Sequence, residues 1–138
     1  MFLFPFIFVR KYFQSFGYSN IFCLNKEKNN SIYLSVIWNH NWYNLSESFP
    51  KKEIFNLSSQ ILRAGDSIAL NISEGSIGQS NPEFRKFMGY SIRSLAEVVT
   101  CLHKAKRRKY FTEQEFEKYY NEAFNLMNMM IAFKKSIK

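Results

Sequence analysis

The chain has 138 residues, of which 46% are hydrophobic, and this is enough to build the core of one domain. Its five glycines and three prolines permit long uninterrupted helices, and no glycine-rich phosphate-binding loop is present. The two cysteines, Cys23 and Cys101, lack the spacing of metal ligands, so we expect reduced thiols in a cytoplasmic protein. The formal charge of +8 favours an acidic partner, nucleic acid before an anionic membrane, unless it serves only to keep the protein soluble.

Residues 1–30 are predicted to be a poorly ordered extension, and residues 31–138 to form the folded domain. The first nine residues are similar to the apolar part of a signal peptide, but Arg10 and Lys11 follow this run instead of preceding it. The run also contains a proline and is too short to span a bilayer. Residues 25–30 have the composition of a polar linker. The remaining alternatives are a secretory signal and an extension that begins at an upstream start codon.

Residues 31–48 form the weakest of four predicted helices, because their apolar residues recur only irregularly at helical spacing. Pro50 is expected to end this helix, since its ring keeps the preceding residue out of the helical region. The second helix is predicted to run from Lys51 to Ser73, with Gly75 as the left-handed residue that stops it.

Two rows of apolar residues follow the second predicted helix. The first row alternates steps of three and four and ends on a polar residue; it consists of Ile54, Leu57, Ile61, Ala64, Ile68 and Asn71. The second row steps by seven along a neighbouring face and consists of Phe55, Leu62 and Ala69. A helix with two apolar faces is buried on two sides, and a small bundle is expected to cover only one of them. We therefore expect the second row to lie in an interface between copies of the chain.

The third and fourth helices have the clearest patterns. The third is predicted from Pro82 to Arg107, with Asn81 as its N-cap. Its buried row keeps the period of a left-handed bundle and consists of Phe84, Met88, Ser91, Leu95, Val98, Leu102 and Ala105. The fourth begins after Thr112, whose spacing to Glu115 predicts a capping box. Its row consists of Phe116, Tyr119, Ala123, Leu126, Met130, Phe133 and Ile137.

Short links between long helices make neighbouring helices antiparallel. The sequence therefore predicts an all-α fold, an antiparallel up-down four-helix bundle with an irregular N-terminal extension. No strand pattern and no internal repeat is found in the bundle region.

Four stretches of the chain resemble one protein family in their order and spacing. They are Phe49-Pro50-Lys51-Lys52-Glu53, Ser59-Gln60-Ile61-Leu62-Arg63-Ala64, Ser67-Ile68-Ala69-Leu70-Asn71-Ile72-Ser73-Glu74-Gly75 and Ser94-Leu95-Ala96-Glu97. The run Asn71-Ile72-Ser73-Glu74-Gly75 after a helical Arg-Ala pair is the specific part of the likeness. From about residue 31 to residue 138, the chain resembles the four-helix bundle proteins whose founding members are encoded by intervening sequences inside bacterial 23S ribosomal RNA genes.

This resemblance implies homo-oligomers, typically pentamers, in which such bundles pack side by side. It also implies association with nucleic acid, because one branch of the family is the accessory subunit of a reverse transcriptase in diversity-generating retroelements and has a positively charged surface. The resemblance implies no biochemical role for the other members.

A basic cluster is the sharpest charged feature of the sequence. Five of six consecutive residues at the end of the third predicted helix are cations, namely Lys104, Lys106, Arg107, Arg108 and Lys109. In an up-down bundle Lys51 and Lys52 lie at the same end, so we expect the seven cations to contact RNA or DNA phosphates. Interaction with the helix dipole is the alternative, but five charges that repel one another exceed what the dipole needs. Tyr110 and Phe111, beside the cluster, are candidates to stack on bases, although a hydrophobic staple with Phe116 already accounts for Phe111.

Small polar residues on the second helix are expected to be structural. Asn71, Ser67 and Glu74 form a predicted polar core, in which Asn71 and Ser67 hydrogen-bond across the bundle with Ser91 and Ser94 and fix its register. Glu74 is expected to accept hydrogen bonds from the loop amides that follow it. Contact with a ligand is the alternative for this group.

No arrangement of residues predicts catalysis. His40 and His103 lie on different predicted helices without carboxylates at a suitable spacing, and Arg63 and Asp66 are expected to form ion pairs between the second and third helices. The sequence therefore predicts a non-enzymatic homo-oligomer that binds RNA or a nucleoprotein, with no catalytic residue, metal, cofactor, small-molecule substrate or membrane contact. The alternative is a structural protein–protein interaction module that binds no nucleic acid.

Overall fold

The computed structural model describes residues 42–77 and 80–138, and in these ranges every regular element is helical. The elements are α1 (42–48), a 3-10 turn (Lys51–Glu53), a π-helical turn (Ile54–Ser58), α2 (Ser59–Ser76), α3 (Asn81–Arg107) and α4 (Glu113–Ser136). The predicted all-α class is confirmed. The predicted extension, residues 1–30, and the start of the first predicted helix lie outside the described residues. No helix in the described ranges has both the length and the apolar character needed to cross a membrane.

Helices α2 and α3 run antiparallel. Near the middle of the pair, Ser91 Oγ donates a hydrogen bond of 3.0 Å to the carbonyl oxygen of Ile68. Toward the other end, Lys104 Nζ donates to Gln60 Oε1 at 3.3 Å. The residue numbers of the contacts increase along α3 as they decrease along α2, which is the antiparallel arrangement that the short link predicts.

Helix α4 returns antiparallel to α3. The Phe84 and Phe133 rings pack edge to face with centroids 5.8 Å apart, near the start of α3 and the end of α4. At the opposite end, the rings of His103 and Phe116 lie 5.1 Å apart. These two contacts join opposite ends of the two helices, so α3 has antiparallel neighbours on both sides.

The core follows the predicted rows of α3 and α4. All seven predicted residues of the α3 row are buried, and those of the α4 row are buried or half-buried. Helix α1 adds Trp42 and Leu45, and Phe49 follows just after it; all three are buried. Full burial of one large apolar side chain contributes about 1.5–3 kcal/mol, so each large residue of these rows stabilises the fold appreciably.

The start of the second predicted helix is not a regular α-helix. Helical structure does begin at Lys51, as predicted, but it passes through the 3-10 turn and the π-helical turn before α2 begins at Ser59. A π turn contains more residues than an α turn and rotates the preceding side chains out of the α-helical pattern. Ile54, predicted in the buried row, is therefore 51% exposed, and Phe55 is 96% exposed.

The end of α2 also differs from the prediction. The buried row continues from Ile68 to Ile72, not to Asn71, because the α-helical repeat of 3.6 residues drifts relative to a seven-residue period. Gly75 lies inside α2, which ends at Ser76, so its predicted role as the stop residue is wrong. A Cβ at Gly75 would lie 2.5 Å from Phe87 Cβ and 2.9 Å from Phe84 Cδ2. The close packing of α2 against α3 at this point therefore requires a residue without a side chain.

The N-termini of α3 and α4 are capped by side chains. Ser80, one residue earlier than the predicted Asn81, accepts the amide hydrogen of Glu83. At α4 the predicted capping box is confirmed: the amide of Glu115 donates to Thr112 Oγ1 at 3.2 Å, and the amide of Thr112 donates to Glu115 Oε2 at 2.8 Å. The Thr112 hydrogen bonds hold the pKa of Glu115 below its ordinary value.

Candidate nucleic-acid interface

The structure brings the two cationic segments to one end of the bundle. We call this surface the basic pole; it consists of Lys51, Lys52, Lys104, Lys106, Arg107, Arg108 and Lys109. The antiparallel packing of α2 and α3 places the 3-10 turn beside the end of α3. Lys52 Nζ lies 5.8 Å from the centroid of the Tyr110 ring, and the Arg108 guanidinium donates to Glu53. Residues more than 50 positions apart in the chain therefore form one surface.

A buried carboxylate joins the two segments. The Glu53 side chain is only 7% exposed, and its two oxygens accept hydrogen bonds from the Tyr110 hydroxyl at 2.7 Å and Arg108 Nη1 at 2.6 Å. The amide of Leu57 also donates to Glu53, at 3.4 Å, and so caps the π-helical turn. The Tyr110 hydrogen bond, together with the Leu57 amide and the Arg108 charge, holds the pKa of Glu53 below its ordinary value against the opposing effect of burial.

The sequence pattern did not identify Glu53 as the residue that joins the two segments of this surface. Apart from its place in the Phe49–Glu53 stretch that carries the family resemblance, its sequence signal is that of an acidic residue in the first turn after a proline, where a carboxylate commonly serves a helix N-terminus. That signal indicates a local cap. It does not indicate partners in the segment that follows α3, more than 50 positions away.

The seven cations of the basic pole divide into two groups. Arg108 is paired with Glu53, while Lys106 donates to Glu113 Oε1 at 2.7 Å and lies 4.1 Å from the Phe116 ring centroid. The others have no carboxylate partner among the described residues: Lys51, Lys52, Lys104, Arg107 and Lys109. A paired cation is largely neutralised by its partner, so the unpaired group supplies most of the field that an anion meets.

Lys109 has the only left-handed backbone among the non-glycine residues in the described part of the chain, with a φ of 59°. It follows the end of α3, where the amides of Arg108, Lys109 and Tyr110 donate to carbonyl oxygens of the last helical turn at distances of 2.9 to 3.0 Å. These three amides are therefore used within the protein and are not free to bind an anion. For a residue with a Cβ, the left-handed conformation costs about 1–2 kcal/mol.

The two aromatic residues beside the cluster have structural partners. Both are half-buried, and the Tyr110 hydroxyl is bonded to Glu53. The Phe111 ring packs against Phe49 and Tyr119 at centroid distances of 5.6 and 5.9 Å. Their role in packing α1 against the start of α4 accounts for both residues without stacking on bases.

The predicted polar core is wrong. Asn71 and Ser67 are only half-buried, and Asn71 Nδ2 donates to the Ser67 carbonyl oxygen at 2.7 Å within α2. Glu74 is exposed. The cross-helix hydrogen bond is made by Ser91, as predicted, while Ser94 bonds to Tyr90 in its own helix. The reason is the drift of the buried row described above, which turns Asn71 toward the flank of α2.

The predicted interface row does not form one continuous stripe. Leu62 and Ala69 are half-buried, whereas Phe55 stands out from the π-helical turn. Ser58, one turn before Leu62, donates to the Ser46 carbonyl oxygen at 3.2 Å. Helix α1 therefore covers the start of the flank that carries Leu62. Part of the second apolar face of α2 is therefore covered by α1 of the same chain. Phe55 lies apart from the rest of this face.

A groove of about 490 Å³ lies on the other flank of α2, between α2 and α3. Arg63 and Glu97 both line this groove. The expected ion pair of Arg63 with the third helix does not form among the described residues, and Arg63 Nε instead donates at 3.4 Å to the carbonyl oxygen of Ser59 in its own helix. Burial raises the pKa of the Cys101 thiol at its floor, which keeps that sulfur protonated. Within the described ranges, no group of three or more His, Cys, Asp or Glu residues could hold a metal ion.

Comparison with known proteins supports the same fold and family. The family model described as 23S rRNA-intervening sequence protein matches residues 28–132, which include both segments of the basic pole. The chain is also similar to a solved structure, a protein of unknown function from the S23 ribosomal protein family of Bacteroides thetaiotaomicron. The TM-score is 0.72 with 25% sequence identity, and the match covers 80% of this chain and 99% of that one. A search of curated proteins gives no match.

Proposed function

Because this chain belongs to the family of 23S rRNA-intervening sequence proteins, we propose that it is a non-enzymatic homo-oligomer whose basic pole binds the phosphates of RNA, free or within a nucleoprotein. The observation that carries this proposal is the convergence, on one end of the bundle, of five cations that have no carboxylate partner among the described residues. Phosphates attract such a cluster strongly, because each contact releases counterions from the nucleic acid.

His103 and Cys101, two residues of types that often perform catalysis, have structural surroundings in the described part of the chain. The His103 ring packs against the rings of Phe116 and Tyr120, at 5.1 and 5.7 Å. The thiol of Cys101 is buried and its pKa is raised, which disfavours the thiolate that a nucleophile requires. Both observations support a binding protein. We also propose that the protein acts in the cytoplasm, where the thiol stays reduced.

Exposed apolar side chains support self-association. Phe55, Leu70, Ile77 and Phe124 are each more than half exposed in the single chain. Large apolar side chains left in water favour contact with another protein surface, and a second copy of the chain is always available. A closed ring, such as the pentamer that the resemblance implies, would repeat the basic pole around its axis and multiply its field.

Binding of the full chain to RNA at several salt concentrations tests this function. We expect affinity for two RNAs of unrelated sequence to fall with salt along the same slope, because phosphate contacts carry no sequence information. The double variant Lys51→Gln and Arg107→Gln should reduce that slope by about two units per chain, at roughly one unit per lost contact. The matched control is Lys135→Gln and Lys138→Gln at the opposite end of the bundle, which should leave the slope unchanged.

The wild-type result decides between the two candidate functions. Measurable RNA affinity at ~0.1 M salt, where the Debye length is about 10 Å, supports the proposal. No RNA affinity in that range contradicts it and favours the protein–protein interaction module. Recovery of the same protein partners from cell extract before and after nuclease treatment would then identify the contact as one between proteins.

A further inference from the structure

Lys109 occupies a backbone position that suits glycine better than lysine. Its φ of 59° lies in the left-handed region, at the residue that follows the C-cap of α3, Arg108. Glycine adopts this conformation without steric cost and is the usual residue there. The fold therefore tolerates a strained residue at a position where an unstrained one was available.

Nothing in the described structure uses the Lys109 side chain. The hydrogen bond that Lys109 makes, from its amide to the Lys106 carbonyl at 2.9 Å, is a backbone bond that glycine would make equally well. The side chain is exposed, and no carboxylate among the described residues pairs with it. The side chain therefore contributes charge at the basic pole and no packing.

Contacts of the neighbouring residues fix the position of the Lys109 backbone. Lys106 is tied to Glu113 and Arg108 is tied to Glu53, at 2.7 and 2.6 Å. Both of these cations are engaged by the protein, so an incoming phosphate meets them already partly neutralised. Lys109, which follows Arg108, keeps its full charge on a backbone that three amide hydrogen bonds hold in place.

We propose that Lys109 is an affinity-determining phosphate contact of the basic pole, a role that accounts for a charged side chain at a strained backbone position. Strained residues that the surrounding structure holds in place occur preferentially at functional sites. The cations of this segment then have two different roles. Lys109 contacts phosphate, while Arg108 and Lys106, through their ion pairs, position the segment that contains Lys109. This inference rests on the proposed function, because it assigns a role within the same site.

Substitution of Lys109 by glycine tests the assignment, because the structural and functional effects have opposite signs. Lys109→Gly should raise the melting temperature of the full-length protein by a few degrees, since it relieves the left-handed strain. It should also weaken binding of a fluorescently labelled RNA hairpin about five- to tenfold at ~0.1 M salt, and lower the salt slope by about one unit per chain. A residue with only a structural role would not give a more stable protein that binds less well.

Two matched variants complete the experiment. Lys109→Arg keeps both charge and strain and should match the wild type in melting temperature and RNA affinity. Lys135→Gln removes one exposed charge at the opposite end of the bundle and should change neither. If the wild type binds RNA and the Lys109→Gly variant binds it equally well, the role of Lys109 is overturned but the proposed function is not. Wild-type protein without RNA affinity would overturn the proposed function as well, and a less stable Lys109→Gly variant would contradict the strain on which the inference depends.

Discussion

The Tyr110 hydroxyl donates a 2.7 Å hydrogen bond to Oε1 of Glu53, across 57 positions of the sequence. This bond ties the segment before α4 to the 3-10 turn before α2. Arg108 binds the other oxygen of the same carboxylate. The relative position of the two cationic segments therefore depends on one buried acid, which acts as a clamp.

We expect the Tyr110 hydroxyl to make a measurable contribution to the stability of the protein. Tyr110→Phe removes one donor from a buried carboxylate and should lower the free energy of unfolding by about 1–2 kcal/mol. Urea unfolding followed by circular dichroism measures this loss. Tyr120→Phe is the control, since the Tyr120 hydroxyl makes no hydrogen bond within the described residues, and it should be neutral. Equal stability of the two variants would show that the hydrogen bond from Tyr110 to Glu53 contributes nothing.

Acid should weaken the clamp. The pKa of Glu53 in the folded protein lies below its ordinary value of 4.5, so the folded state releases this proton more readily than the unfolded state. The resulting stability is fully present well above pH 4.5 and is lost as the pH falls through the lowered folded value. Melting temperatures between pH 7 and pH 3 measure this loss.

Glu53→Gln provides the comparison for the acid experiment. It should be less stable than the wild type near neutral pH, and its stability should fall less steeply below about pH 4.5. The slope that remains in the variant should come in part from Glu115, whose pKa is also lowered by its capping hydrogen bonds. Parallel pH profiles of variant and wild type would contradict the role assigned to Glu53.

The two glycines that face neighbouring helices should respond in opposite ways to alanine. At Gly75 the new Cβ would lie 2.5 Å from Phe87 Cβ, so α2 and α3 must separate, and we expect a loss of about 1–3 kcal/mol. At Gly89 it would meet only the flexible end of Lys134, at 3.0 Å from Nζ, and alanine has the better helix propensity. Gly89→Ala should therefore be neutral or stabilising by up to about 1 kcal/mol. Thermal melts of both variants check the contrast, and similar losses at both positions would contradict it.

Self-association can be tested at Phe55 without disturbing the protomer. Phe55 is 96% exposed, so Phe55→Glu removes almost no packing against the described residues, and we expect a change in assembly to arise between chains. We expect sedimentation to show a smaller species with unchanged helix content, because an unpaired charge is costly in a dry interface. Asn56→Glu adds the same charge at the adjacent exposed position and serves as the control. A wild-type monomer at micromolar concentration would contradict self-association, and an unchanged size distribution of Phe55→Glu would place the interface elsewhere.

Periodic and local patterns were enough to predict much of the fold. The buried rows of α3 and α4 follow from the spacing of apolar residues, since a regular helix repeats every 3.6 residues whatever it packs against. The capping box at Thr112 and Glu115 is equally local, because both partners lie within one turn. The location of the cationic residues at one end also follows from helix order and short links.

Prediction failed where the chain departs from regular α-helix. The π-helical turn rotates Ile54 and Phe55 out of the rows in which an ideal helix would place them. Along α2, a strict seven-residue extrapolation reached Asn71, whereas the buried position is Ile72. Small deviations in helical phase accumulate along a helix, and the sequence pattern contains no information about them.

The sequence by itself determined that this chain forms antiparallel helices with a concentration of positive charge at one end. Only the tertiary structure decided which of those charges are available, because Glu53 neutralises Arg108 across 55 positions and Glu113 neutralises Lys106 across the α3–α4 link. It likewise gave Gly75 its role, since the close approach of Phe87 arises from the packing of α2 on α3. Helix formation depends on neighbours within one turn, whereas ion pairing and close packing depend on distances between helices, which no local pattern specifies.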